Sequence, residues 1–199
     1  MTQVVVIHGG ETFDSEEEYL AWLSAATVDL ANVRQRRWKD ALAGDLGEEY
    51  DVLLLKMPNP SDAKYAEWKI WFEKYLPLLD EKLMLVGHSL GGIFLAKYLS
   101  EETIGKDVLA TFLIAAPYDD SDAEYSLADF TLPRSLAKLS EQSRIVRFYH
   151  STDDPVVRFS DLAKYQSALP YALTSVFGDR AHFNQAQFPE LVSDIVAII

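Results

Sequence analysis

The chain reads as α/β: a three-layer, open, doubly wound, mainly parallel sheet of about six strands with helices on both faces. Six short runs rich in Val, Ile and Leu carry little polar alternation, as strands covered on both faces require. Stretches with helical spacing separate them, and alternation of this kind winds into βαβ units. The 199 residues, 49% hydrophobic and 25% charged, are enough for one substantial core. No internal repeat or low-complexity linker interrupts them, so residues 1–199 read as a single domain.

The opening segment "TQVVVIHGG" has neither a basic lead nor a small-residue cleavage site, so Val4 to His8 reads as a first strand and not as a signal peptide. A helix is expected over Ser15 to Ala25 and another over Leu30 to Leu46. In the second, Leu30, Val33, Trp38, Ala41 and Leu42 fall near one face, which makes Arg34, Arg36, Arg37 and Lys39 its solvated side. Val52 to Lys56 is the second strand. Over Asp62 to Leu76, the residues Tyr65, Trp68, Phe72, Tyr75 and Leu76 recur at spacings of three and four and form a core-facing stripe. The third strand is Leu83 to Val86, followed by a helix over Leu90 to Ser100, and Val108 to Ala115 is the fourth strand. The fifth strand is Ile145 to His150, with a helix over Ser160 to Leu169; the sixth is Leu173 to Phe177, with a terminal helix over Pro189 to Ile199.

Charge and composition narrow the partners. A net charge of -13 repels phosphate backbones, which excludes nucleic acid as a ligand despite the basic stretch around Trp38. No run approaches the roughly 18 apolar residues of a membrane span. With no cysteine the chain has no disulfide, no thiol nucleophile and no cysteine-held metal, and the expected compartment is the cytoplasm.

In an open parallel sheet, sites form at the carboxyl ends of strands near the point where the winding reverses. Three such ends carry chemistry: Ser89 after the third strand, Asp153 and Asp154 after the fifth, and His182 after the sixth. "LVGHSLGG" sets Ser89 in Gly-x-Ser-x-Gly between an apolar strand and an amphipathic helix, the pattern of a nucleophile elbow. A sharp strand-to-helix turn leaves no room for side chains two positions either side, which accounts for Gly87 and Gly91. A serine hydroxyl needs a base. Of the histidines, only His182 in "GDRAHFNQ" follows both the serine and a well-placed acid, giving the order Ser, Asp, His. The acid comes from "HSTDDPVV", where either Asp153 or Asp154 can reach an imidazole and Pro155 pushes Asp154 out of helical geometry. The Leu90 amide, at the start of the helix, and the Gly10 amide in "HGG" are the candidate oxyanion donors. His8 is then a structural part of that turn.

These segments carry a resemblance. "GHSLGG", "STDDPVV" and "RAHFNQ", with "VIHGG" and "KMPNP" earlier, resemble the small single-domain serine hydrolases of the α/β-hydrolase superfamily, the family typified by retinoblastoma-binding protein nine. The resemblance spans essentially the whole chain and implies a compact α/β-hydrolase fold. It also implies that the aspartate directly before proline completes the triad, hence Ser89, Asp154 and His182. Ala181 stands where glycine is common in that family and Val157 where proline is frequent; neither change removes a catalytic group. The cysteine-containing retinoblastoma-binding motif is impossible in a chain without cysteine, so that partner is not implied.

The expected activity is acyl transfer to water from a small ester or related acyl substrate, with no metal and no organic cofactor. The acidic loop Asp119, Asp120, Asp122 and Glu124 lacks the spacing and glycine of a calcium-binding hand and reads as solvated. The acyl pocket is expected from Tyr118, Tyr125, Leu127 and Phe130. A binding module that keeps the fold without turnover is the alternative, because such folds host other functions.

Overall fold

The computed structural model describes residues 1–121, 123 and 125–198; Asp122 and Glu124 of the acidic loop, and Ile199 at the end of the expected terminal helix, lie outside them. Six strands, β1 (Thr2–Ile7), β2 (Tyr50–Leu55), β3 (Lys82–His88), β4 (Asp107–Ile114), β5 (Val146–Ser151) and β6 (Leu173–Phe177), form one sheet in the order β2-β1-β3-β4-β5-β6. Every pairing is parallel. The helices are α1 (Glu16–Ala25), α2 (Leu30–Arg34), α3 (Trp38–Leu46), α4 (Tyr65–Tyr75), α5 (Leu90–Glu101), α6 (Ala137–Gln142), α7 (Ser160–Ala168) and α8 (Pro189–Val196).

Two apolar layers flank the sheet. On one face Val5, Ile7, Leu83 and Leu85 meet Trp68 and Phe72 of α4, Ile93 and Phe94 of α5 and Tyr165 of α7. On the other, Val4, Val6, Met84 and Val86 meet Trp38 and Leu42 of α3 and Leu191 and Ile195 of α8. Strand residues alternate between the two layers, so a run that is apolar at every position becomes a strand buried on both sides. That holds for β1, β3 and most of β4 and β5. At the sheet edges it fails, since Leu54 on β2 and Leu173 and Val176 on β6 are exposed.

One expected helix divides into two. Leu30 to Leu46 is broken at residues 35–37, giving α2 and α3. The break decouples the two halves of the apolar stripe: Trp38 and Leu42 are buried against the sheet, while Leu30 and Val33 face solvent. α6 had no counterpart in the sequence reading; its six residues are too few for a period to register.

The winding reverses between β1 and β3, which are hydrogen-bonded neighbours although β2 lies between them in sequence. The chain leaves β1 through α3 on one face and leaves β3 through α5 on the other. Their carboxyl ends therefore open a crevice, into which the loops after β5 and β6 also lead.

Candidate active site

Ser89 joins β3 to α5 with φ 55° and ψ -122°, a left-handed strain that holds its side chain above the sheet. Its amide donates to the Ile114 carbonyl at 2.8 Å and its carbonyl accepts from Gly92 at 2.8 Å, so the turn is pinned on both sides. The flanking glycines are dictated by backbone approach. A Cβ on Gly87 would lie 2.4 Å from the Gly91 carbonyl oxygen, and one on Gly91 2.4 Å from that of Ile7.

His182 reaches the serine from the loop after β6. Its Nε2 lies 2.9 Å from Ser89 Oγ, and its Nδ1 is 2.9 Å from Asp154 Oδ2 and 3.1 Å from Oδ1. With the carboxylate as acceptor, Nδ1 carries the proton and Nε2 is free to accept from the hydroxyl. Asp154 is oriented in turn by the amides of Val156 and Val157, which donate to Oδ1 at 2.8 and 3.0 Å. Its side chain is 1% exposed and that of His182 12%, so the pair is shielded from competing water.

Asp153 has a different task. It accepts from Ser151 Oγ and, at 3.0 Å, from the Ala181 amide, and these bonds hold its carboxyl below the usual range. It thus ties the β5 end to the loop that carries His182 without touching the imidazole. Residues 181 and 183 both have positive φ, 43° for Ala181 and 52° for Phe183. Ala181 stands where the resemblance puts a glycine, in a conformation costing an alanine about 1–2 kcal/mol. Phe183 is fully buried among Phe177 and Phe188 and anchors the turn from below.

The other three histidines are occupied or enclosed. His8 Nδ1 donates to the Gly9 carbonyl at 2.6 Å and Nε2 accepts from Met57 N–H at 3.0 Å, bridging the ends of β1 and β2; burial pushes its pKa down. His88 lies beneath the elbow, where Nε2 donates to the His182 carbonyl at 2.8 Å and Nδ1 accepts from Lys39 Nζ at 2.8 Å. Burial, then the nearby Lys39 charge, keeps it neutral. His150 is buried beside the acid, with Nε2 unpartnered among the described residues, and burial lowers its pKa to about 4.

Gly10 and Leu90 both line a cavity of about 530 Å³ that contains Ser89 and His182. Among the described residues neither amide has an acceptor within the protein, as a free donor pair would require. Gly9, which the sequence reading passed over, makes the closest approach: its Cβ position would be 3.0 Å from Ser89 Cβ and 3.5 Å from Oγ. The run "HGG" contains the signal, although not which glycine faces the serine.

The cavity corrects two expectations. Tyr125 and Leu127 line it with Leu90, Val156 and Val157, but Tyr118 and Phe130 do not. Phe130 is fully buried against Tyr65 and Trp68, and Tyr118 packs edge-on against Tyr165 at 4.9 Å. The second concerns the basic stretch. Arg34 and Arg36 are exposed, but Arg37 and Lys39 line the cavity, because the break before α3 turns them toward β1 and β3. Among the described residues no group of three or more His, Asp or Glu side chains is arranged to hold a metal ion, and no helix is long and apolar enough to cross a membrane.

Comparison with known proteins agrees with this architecture. A family model described as serine hydrolase matches residues 25–191. The serine hydrolase RBBP9 of Rattus norvegicus is 28% identical over 152 residues, covering 75% of this chain and 78% of that protein. YdeN of Bacillus subtilis, named a hydrolase, is 26% identical over 173 residues, 85% of this chain and 81% of that one. The crystal structure of the B. subtilis ydeN gene product superposes with a TM-score of 0.75 at 20% identity, covering 100% and 98% of the two chains. An esterase domain from a Rhodothermus marinus protein gives a TM-score of 0.60 at 17% identity, covering 99% and 86%.

Proposed function

Since the chain belongs to the serine hydrolase family, within the α/β-hydrolase superfamily, we propose that it cleaves an ester or related acyl bond of a small molecule through an acyl-enzyme on Ser89. One observation carries this reading: Ser89 Oγ, His182 and Asp154 form a continuous hydrogen-bonded line at 2.9 Å and 2.9 Å, at the lip of the cavity.

In this mechanism Ser89 Oγ attacks the acyl carbon as His182 Nε2 takes its proton, and Asp154 stabilises the imidazolium and fixes its tautomer. The Gly10 and Leu90 amides stabilise the charge developing on the carbonyl oxygen; a donor of this kind lowers the barrier by about 3–4 kcal/mol. His182 then gives the proton to the departing alcohol. Water enters, loses a proton to the same nitrogen and attacks the acyl carbon; His182 then returns that proton to Ser89 Oγ as the acyl bond breaks, releasing the acid. Every step uses groups of this chain, with no metal or organic cofactor, and residues 1–199 act as one domain. The absence of cysteine suits a reducing cytoplasm, and the net charge of -13 argues against nucleic acid or an anionic membrane surface as partner.

The test is labelling by a fluorophosphonate probe, together with a panel of p-nitrophenyl esters of graded acyl length. Stoichiometric labelling that maps to Ser89, with turnover of at least one ester, is expected. A folded protein that neither labels nor turns over any ester would leave the alternative, a binding module on the same fold.

A further inference from the structure

The chain is strongly acidic, yet among the described residues the charged side chains lining its Ser89 cavity are, apart from histidines, Arg37, Lys39 and a single carboxylate, Glu11. Burial raises the pKa of Glu11, whose electrostatic neighbour is His182, and among the described residues it forms an ion pair with neither cation. Among the described residues neither Arg37 nor Lys39 makes an ion pair. Most other basic side chains with buried stems have one: Lys97 pairs with Glu101, Lys106 with Glu81, Arg147 with Asp194 and Arg180 with Glu190.

Lys39 is the more telling of the two. Its ammonium has three N–H groups. One donates to His88 Nδ1, a neutral acceptor, and among the described residues no carboxylate is bonded to the others. The ammonium also lies 5.3 Å from the Trp38 ring centre, which offers polarisation but no hydrogen bond. Burial, followed by repulsion from Arg37, lowers its pKa to about 8, against a smaller opposing attraction from Asp40, which is not bonded to it. A desolvated cation kept beside a second cation costs stability unless something of opposite charge completes it. Here the open side of both groups is the cavity that holds Ser89. The same cavity is also lined by the apolar side chains of Leu90, Leu127, Val156 and Val157.

We propose that Arg37 and Lys39 form an anion subsite, and that the substrates of this hydrolase are esters bearing a carboxylate. This deepens the acyl-transfer reading of the same cavity and rests on it. Arg37 supplies a planar two-pronged donor and Lys39 a point charge, a combination suited to a carboxylate. The two are specificity-determining residues; neither performs a chemical step.

Two matched pairs of esters test it. In one the charge is on the alcohol side, 4-(butanoyloxy)benzoate against its neutral methyl ester. In the other it is on the acid side, p-nitrophenyl hydrogen adipate against p-nitrophenyl methyl adipate. The quantity read is the ratio of kcat/KM, anionic over neutral, which cancels any general damage done by a variant. In wild type the ratio should exceed one by about tenfold in at least one pair, the worth of one hydrogen bond between charged partners. Arg37→Gln should lower it severalfold, Arg37→Glu should bring it below one, and Arg37→Gln with Lys39→Met should abolish the preference. A wild-type ratio at or below one in both pairs, or a ratio unchanged in the double variant, overturns the subsite. Turnover of the neutral esters, lost in Ser89→Ala, keeps the acyl-transfer reading in either case. If no ester is turned over, that reading falls, and calorimetric binding of the same pairs decides the subsite by the same ratio.

Discussion

Helix α5 starts directly after Ser89 and buries most of its length, from Leu90 to Leu99, whereas α1 starts six residues after Gly10 and buries none of its side chains. Both leave a strand end that borders the crevice, so position alone does not separate them. The difference lies in what surrounds each. α5 follows a central strand with neighbours on both sides, and its Ile93, Phe94, Leu95 and Leu99 have no exposure. α1 has a well-formed start, with Ser15 accepting from the Glu18 amide, and three glutamates in its first turn. Its contacts are a surface aromatic group, with Phe13 5.5 Å and Tyr19 6.3 Å from Trp22, and its Leu20 and Leu23 remain exposed. Capping makes a helix; only burial fixes where it sits. The crevice is therefore rigid around the serine and lightly built on the α1 side.

The largest effect that could break this comparison is at its rigid end. Ser89→Ala should lower kcat for any ester by about a millionfold, as serine removal does where serine and histidine act as one unit. The melting temperature should move little, because among the described residues the hydroxyl is hydrogen-bonded only to His182. Substantial residual turnover in the folded variant would remove the nucleophile from the scheme.

Next come the two aspartates. Asp154→Asn should lower kcat by roughly ten-thousandfold, because an amide can hold the wrong tautomer of His182. Asp153→Asn should cost far less, since Asp153 bonds Ser151 and the Ala181 amide and not the imidazole. Steady-state kinetics on both variants give the ranking, and the reverse order would transfer the role to Asp153.

His150 gives the rigid end a pH signature. Its folded pKa is lowered to about 4 from 6.5 by burial, so between those values the unfolded chain binds the extra proton and the folded chain resists it. Its contribution is complete above about pH 6.5 and is lost as pH falls through about 4, amounting to roughly 3 kcal/mol at most. Urea unfolding across that range should show stability falling more steeply in wild type than in His150→Phe. Parallel curves would mean that His150 is free to protonate in the folded state.

The same contrast explains what could be read in advance. β1, β3 and the elbow obey local rules: an apolar run, then glycines where backbones touch, so "LVGHSLGG" contains most of its own geometry. Ser89, the pair Asp153 and Asp154, and His182 could be singled out because each follows a strand end and strand ends share an edge; within the pair, the family resemblance favours Asp154. The break at residues 35–37 could not, because a helical stripe continues through it in the sequence and only packing against the sheet decides which half is buried. For that reason Arg37 and Lys39 read as solvated although they line the cavity. Phe130 misled in the other direction: an aromatic in a loop after β4 looks like a pocket wall, but a nearby gap between Tyr65 and Trp68 claims it.

Gly91→Ala carries the argument to backbone packing. The new methyl would lie 2.4 Å from the Ile7 carbonyl oxygen and 2.5 Å from that of His8, with no flexible side chain to give way. A loss of about 1–3 kcal/mol is expected as β1 and α5 are forced apart, with the serine displaced and turnover reduced. Gly44→Ala in α3 is the counterpart, because its Cβ position has nothing within 4 Å. There the gain in helix propensity should stabilise by about 0.5–1 kcal/mol.

The smallest effect belongs to the lightly built side and is diagnostic because it is small. Leu23 of α1 is 43% exposed, and Val28, between α1 and α2, is 87% exposed. Leu23→Gln and Val28→Gln should each change unfolding free energy by no more than about 0.5 kcal/mol, the usual range for surface sites. Phe94→Ala in α5 sets the other end of the scale: fully buried and ringed by Tyr65, Trp68, Phe72 and Tyr98, it should cost about 3–5 kcal/mol. Equilibrium unfolding of the three variants under one condition gives the comparison. If Leu23→Gln approached the cost of Phe94→Ala, α1 would be docked as firmly as α5, and the crevice would have two rigid walls.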